Sequence, residues 1–147
     1  MNRLTFDRPH TRCLLRWGPA LTLALAGAGL LGTAGAATPD ELLAAYTKAA
    51  GKPASAERGQ VFFTRKGAGE FGWSCATCHG DVPTRKGQNA LTEKVIPPLA
   101  PAFNPTTFTD RNKTDGWFKN NCKDTLGRDC SASERADVLA WLLTLKP

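Results

Sequence analysis

The most regular hydrophobic pattern lies at the end of the chain. There Val138, Leu139, Trp141, Leu142 and Leu145 follow a capping box at Ser131 to Glu134 and predict a strongly apolar helix running to about Leu145. A second helix is predicted over 39 to 50. It opens on Thr38-Pro39-Asp40-Glu41, an N-cap residue followed by Pro at the first helical position and Glu at the third, and Gly51-Lys52-Pro53 ends it. Between these two, a helix is expected from near Ser55 through Gly59, Val61, Phe62 and Phe63 until Gly67-Ala68-Gly69 breaks it. Another is expected from Thr109 or Asp110 to Asn121, with Trp117 and Asn121 on one face at i, i+4. Residues 80 to 108 hold Pro83, Pro97, Pro98, Pro101 and Pro105 without a sustained period, so they read as one long ordered loop, of a length that normally wraps something. With no repeat and no alternating strand pattern, the chain reads as mostly helical with irregular loops.

One apolar stretch fits none of these elements. Ala20 to Leu31 follow a basic segment with Arg3, Arg8, Arg12 and Arg16, and the small triplet Ala34-Gly35-Ala36 comes next. This is the pattern of a signal peptide, residues 1 to 36, cleaved before Ala37. Read as a retained membrane anchor it is short, because a span needs about 20 apolar residues. Cleavage leaves 37 to 147 as a single domain destined for the periplasm, with no stable membrane span. It also changes the charge: loss of four Arg and one Asp lowers the formal +6 to +3, and most of the case for a nucleic-acid partner goes with it. A mature chain of this size buries a modest core unless something covalent or inorganic adds to it.

Cys75-Ala76-Thr77-Cys78-His79 supplies that addition, because Cys-x-x-Cys-His is the attachment sequence for c-type haem. Two thiols three positions apart can each add to one haem vinyl group, and the next residue, His79, is then held where its imidazole can bind the iron. A thioredoxin-like redox pair would want a βαβ pattern, and a zinc site would want four clustered ligands; neither context is present. With Gly59 and Phe63 upstream and Leu139 to Leu145 around Trp141 at the end, the chain resembles a class I cytochrome c over most of residues 55 to 147. The resemblance implies an all-α fold in which Gly59 and Phe63 meet Leu139 and Trp141. It also implies that the loop after His79 folds under the haem. The helix 39 to 50 is an addition to that fold, and the long irregular loops wrap the cofactor.

The other side of the iron is the unusual one. Electron-transfer members of that family take a Met or a second His there, but the only Met is Met1 and the only other His is His10, both in the leader. A neutral Lys, Tyr46 as phenolate, or the amide oxygen of an Asn or Gln remain as donors, along with water or no ligand. Asn121 is the candidate one turn after Trp117, and most Asn residues in such a helix are simply exposed or capping.

Asn121-Cys122, Gly127-Arg128-Asp129-Cys130 and the Cys-His-Gly of the haem motif together resemble the SHP (sphaeroides haem protein) group of cytochromes c. The additional N-terminal helix, the Pro-rich segment around Pro98-Leu99-Ala100-Pro101 and the Trp before the Asn extend the match over nearly all the mature chain. That resemblance implies Asn121 as the axial ligand, beside a disulfide cysteine, and a dihaem cytochrome c as electron donor. Cysteine arithmetic agrees: with Cys13 in the leader and Cys75 and Cys78 on haem, Cys122 and Cys130 are left to pair in an oxidising compartment. The expectation is one covalently attached haem c whose weak sixth ligand leaves on reduction, so that O₂, NO or CO binds. A simple electron-transfer cytochrome with a permanent sixth ligand is the alternative. A third reading is an enzyme proper, such as a peroxidase or NO dioxygenase acting at the haem; no hydrolytic or transferase site shows, and no catalytic His or Arg can be assigned to the distal face from spacing. Lys113, Lys119 and Lys123 could dock an acidic partner, or form a solvated face.

Overall fold

The computed structural model describes residues 35–147; the expected leader lies almost wholly outside them. Five helices and one very short β-hairpin make up the described chain.

Helix α1, Pro39–Ala50, starts with the capping box of Thr38 and Glu41 and ends at Gly51, whose φ of 65° is the left-handed conformation that Gly adopts without strain. Ser55 caps α2, Ala56–Thr64, by accepting from the Arg58 N–H. This helix stops before Gly67, earlier than its sequence pattern suggested. The chain turns extended at Arg65, and the next donors are taken elsewhere: the Gly67 N–H bonds the Trp73 carbonyl and the Gly69 N–H bonds the Thr125 carbonyl. Helix α3, Cys75–His79, is a single turn of five residues, too short to leave a periodic signature.

Within the long loop, Gly87–Gln88 (β1) and Val95–Ile96 (β2) pair antiparallel, Gly87 opposite Ile96. No strand was expected there; two residues per strand are below what alternation can reveal. Helix α4, Arg111–Leu126, runs five residues past its expected end at Asn121, and the stop is Gly127 at φ 70°, whose N–H returns to the Lys123 carbonyl. Helix α5, Ala132–Thr144, begins at the capping box of Ser131 and Glu134.

The core forms where α1 and α2 both pack on α5, around Leu42, Phe63, Leu139 and Leu142. Gly59 stands at the α2 crossing, with the backbone of Asp137 and Val138 filling the space a side chain would need. Its neighbours there are these two residues, while Phe63 meets Trp141 at 5.0 Å between ring centroids. Asp137 is almost buried at the same crossing. Burial opposes its ionisation, but the Arg58 guanidinium and the Ser55 N–H outweigh that and hold its carboxyl below the usual range. Asp115 ties α4 to two other helices, accepting from Tyr46 of α1 at 2.7 Å and from Arg135 of α5 at 3.0 Å.

Candidate functional site

Helices α3 and α4, the end of α2 and the long loop enclose one cavity of about 450 Å³. The α3 wall presents Cys75, Cys78 and His79, all partly buried. Two packing features hold that turn. Phe63 lies 6.2 Å from the His79 ring, centroid to centroid, and Gly87 of β1 sits so close to the Cys78 carbonyl that no side chain could replace its hydrogen. Burial pushes the Cys75 thiol up to about 11 and lowers the His79 imidazole, so His79 is favoured in the neutral form that carries a free nitrogen lone pair.

The α4 wall is built by helical spacing. Thr114, Trp117, Phe118, Asn121 and Thr125 fall at i, i+3, i+4, i+7 and i+11, and all five line the cavity. Thr114 is fully buried; Trp117, at 39% exposure, and the exposed Asn121 form the rim. Lys113 lies over the Trp117 ring at 4.9 Å and also lines the cavity, whereas Lys119 and Lys123 are exposed without reaching it. Tyr46 does not line the cavity either. It is committed to Asp115, and burial together with that carboxylate raises its pKa, which removes it as a phenolate donor.

The loop contributes Pro97 to Leu99 and Thr106 to Phe108. Phe108 is buried at a φ of 57°, a conformation that is a genuine outlier for a bulky residue and persists only where its surroundings impose it. Its ring packs toward Phe118 at 6.4 Å. Behind the rim, Cys122 and Cys130 form a disulfide with Cα atoms 5.6 Å apart, closing the turn between α4 and α5. Both of these cysteines are buried, and Cys75 and Cys78 are the free cysteines among the described residues.

Sequence reasoning singled out Cys75, Cys78, His79 and Asn121, and all four line this cavity. It missed Thr114 and Thr125, although helical spacing from Asn121 would have found both. It also missed Phe108, whose backbone conformation leaves no mark in the sequence.

The lining suits a planar, mostly apolar group held on one side by two thiols and an imidazole. Fold and site together define a c-type cytochrome. Residues 49–142 match the family described as a domain of unknown function, DUF1924. The cytochrome c-type protein SHP of Cereibacter sphaeroides is 47% identical over 124 residues, 83% of this chain and 93% of the relative. The structure of oxidized SHP, an oxygen-binding cytochrome c, superposes with a TM-score of 0.70 at 46% identity, covering 76% of this chain and all of that one. Cytochrome c'' of Methylophilus methylotrophus is 47% identical over 88 residues, 58% of this chain and 61% of the relative. Its solution structure, which concerns haem-ligand detachment, gives a TM-score of 0.66 at 39% identity over 74% of this chain and 94% of that one.

This chain belongs to the DUF1924 family and to the SHP and cytochrome c'' group of cytochromes c. It therefore has the all-α cytochrome c fold and carries a covalently bound haem with its iron.

Proposed function

We propose that this chain is a periplasmic monohaem cytochrome whose sixth ligand, the Asn121 amide oxygen, leaves on reduction and makes way for O₂ or NO. Cys75 and Cys78 carry the thioether links and His79 is the permanent axial ligand. When bound, the haem supplies an iron that changes valence and takes up diatomic ligands.

The observation that carries the reading is the pairing of walls: His79 and Asn121 line the same cavity, in a chain whose only Met and only other His are Met1 and His10. An amide oxygen is a hard, neutral and weak donor, so it favours ferric over ferrous iron. Phe108, Phe118 and Leu142 make much of the cavity lining apolar. Two relatives lend support: SHP is an oxygen-binding cytochrome c, and ligand detachment is a subject of the cytochrome c'' structure.

Export rests on the leader 1 to 36, cut after Ala36; among the described residues no helix is long and apolar enough to cross a membrane. The electron donor is another cytochrome, of the dihaem c type. Lys113, near Trp117 on the rim, offers it a cationic contact.

Absorption spectra of the oxidised and reduced protein, with and without CO, test the proposal. Reduction should give a high-spin ferrous form that takes up CO readily. A low-spin, CO-inert ferrous form would identify a simple electron carrier and overturn the gas-binding reading.

A further inference from the structure

The last four carbonyls of a helix have no donor within it. In α4 the carbonyl of Thr125 is met from outside: the Gly69 N–H donates to it at 2.9 Å. The contact is backbone on backbone. A Cβ on Gly67 would collide with the Thr125 carbonyl oxygen, and one on Gly69 with that of Asp124, so neither glycine can be replaced without displacing the loop. That loop is closed on itself by the bond from the Gly67 N–H to the Trp73 carbonyl, and Trp73 leads directly into Ser74, the N-cap of α3.

The same threonine also grips the rim. Thr125 is 7% exposed and lines the cavity, and its hydroxyl donates to the Asn121 carbonyl at 2.8 Å. A threonine that bonds back to the carbonyl four residues earlier often bends its helix locally. This hydroxyl therefore ties Thr125 to the turn that carries Asn121. At its carbonyl, Thr125 receives the segment that delivers Cys75 to His79.

We propose that Thr125 is a positioning residue for Asn121. The seat of Gly67 to Gly69 on it is a strut that sets the distance between the Asn121 turn and α3. The inference rests on the reading of Asn121 as sixth ligand, and the experiment separates the two. Azide binding to the oxidised holoprotein reports how firmly Asn121 is held, since azide must take its place and its apparent affinity scales with the fraction of open sites. Thr125→Val keeps the side-chain shape and removes the hydroxyl; Thr125→Ser keeps the hydroxyl.

Thr125→Val should bind azide about two- to tenfold more tightly than the parent, the effect of one lost hydrogen bond. Thr125→Ser should stay near the parent, and Gly69→Ala, which lifts the seat from the other side, should shift in the same direction as the valine variant. The reduced CO spectrum, in which Asn121 takes no part, should be the same in the parent and the Thr125 variants. Parental azide affinity in Thr125→Val, with tighter binding in Asn121→Ala, would overturn the strut and leave Asn121 as ligand. Unchanged affinity in Asn121→Ala would remove both. A change that serine fails to reverse, or that also alters the reduced CO spectrum, would be general loosening and would overturn the proposal.

Discussion

Gly59→Ala sets two physical effects of opposite sign against each other. In an exposed helix interior, Ala is more stable than Gly by about 1 kcal/mol, because Gly loses more backbone freedom. At position 59 the added methyl has nowhere to go. It would collide with the Asp137 carbonyl and stand 2.9 Å from the Val138 nitrogen, inside the 3.4 Å where ordinary contact begins. Both obstacles are backbone atoms of α5, which cannot rotate aside, so α2 must move away from α5. Overpacking of this kind costs about 1 to 3 kcal/mol, and a rigid neighbour puts it toward the upper end. The movement also disturbs the two Asp137 bonds from Arg58 and the one from Ser55 that flank the crossing. Set against the propensity gain, the net loss is about 1 to 2 kcal/mol, or a fall in Tm of roughly 5 to 15 °C for a domain of this size. Because α2 carries Phe63 against His79, the same movement should reach the α3 wall. Urea unfolding of the oxidised protein, followed by far-UV circular dichroism and by haem absorbance, measures it. A gain in stability of about 1 kcal/mol would mean that propensity alone operates and that the helices do not cross this closely.

Asn121→His should give low-spin iron in both oxidation states and slow or block CO uptake, since imidazole is a far stronger ligand than an amide; rapid CO uptake by the reduced variant would count against Asn121 facing the iron. Thiol titration of the denatured, unreduced holoprotein should find no reactive thiol, and replacing both Cys122 and Cys130 with Ser should cost about 2 to 3 kcal/mol by loop entropy. Two reactive thiols per chain would sink the bridge. Glu134 is held down to about 2, chiefly by the Arg128 guanidinium, with the Ser131 N–H assisting against burial. Its folded pKa lies below the ordinary 4.5, so its contribution is complete above that value and is lost as the pH falls toward 2. Comparing acid unfolding of the parent with Glu134→Gln should show a smaller fall for the variant across that window; identical curves would refute the role.

Much of this molecule can be read without a structure because the information is local. Helix caps at Thr38 and Ser131 and the left-handed glycine at 51 act within one turn, so residue type alone places the element ends they govern. The thiols and imidazole of Cys75 to His79 are held together by chain connectivity, and one short motif therefore names the cofactor. Other features depend on partners distant in sequence. The early end of α2 follows from the Trp73 and Thr125 carbonyls, which take the N–H groups of Gly67 and Gly69. Phe108 adopts a backbone conformation that no local preference favours, because the packed cavity wall around it compensates for the strain. Asn121 shows the division most clearly. Its residue type and its place beside Cys122 are written in the chain, but its sharing of a cavity with His79 arises only when loop, disulfide and helix close around the same space. Bond geometry and single-turn hydrogen bonding decide the first kind of feature. Packing between separate segments, such as Gly69 against Thr125, decides the second, and a linear pattern carries no record of which surfaces will meet.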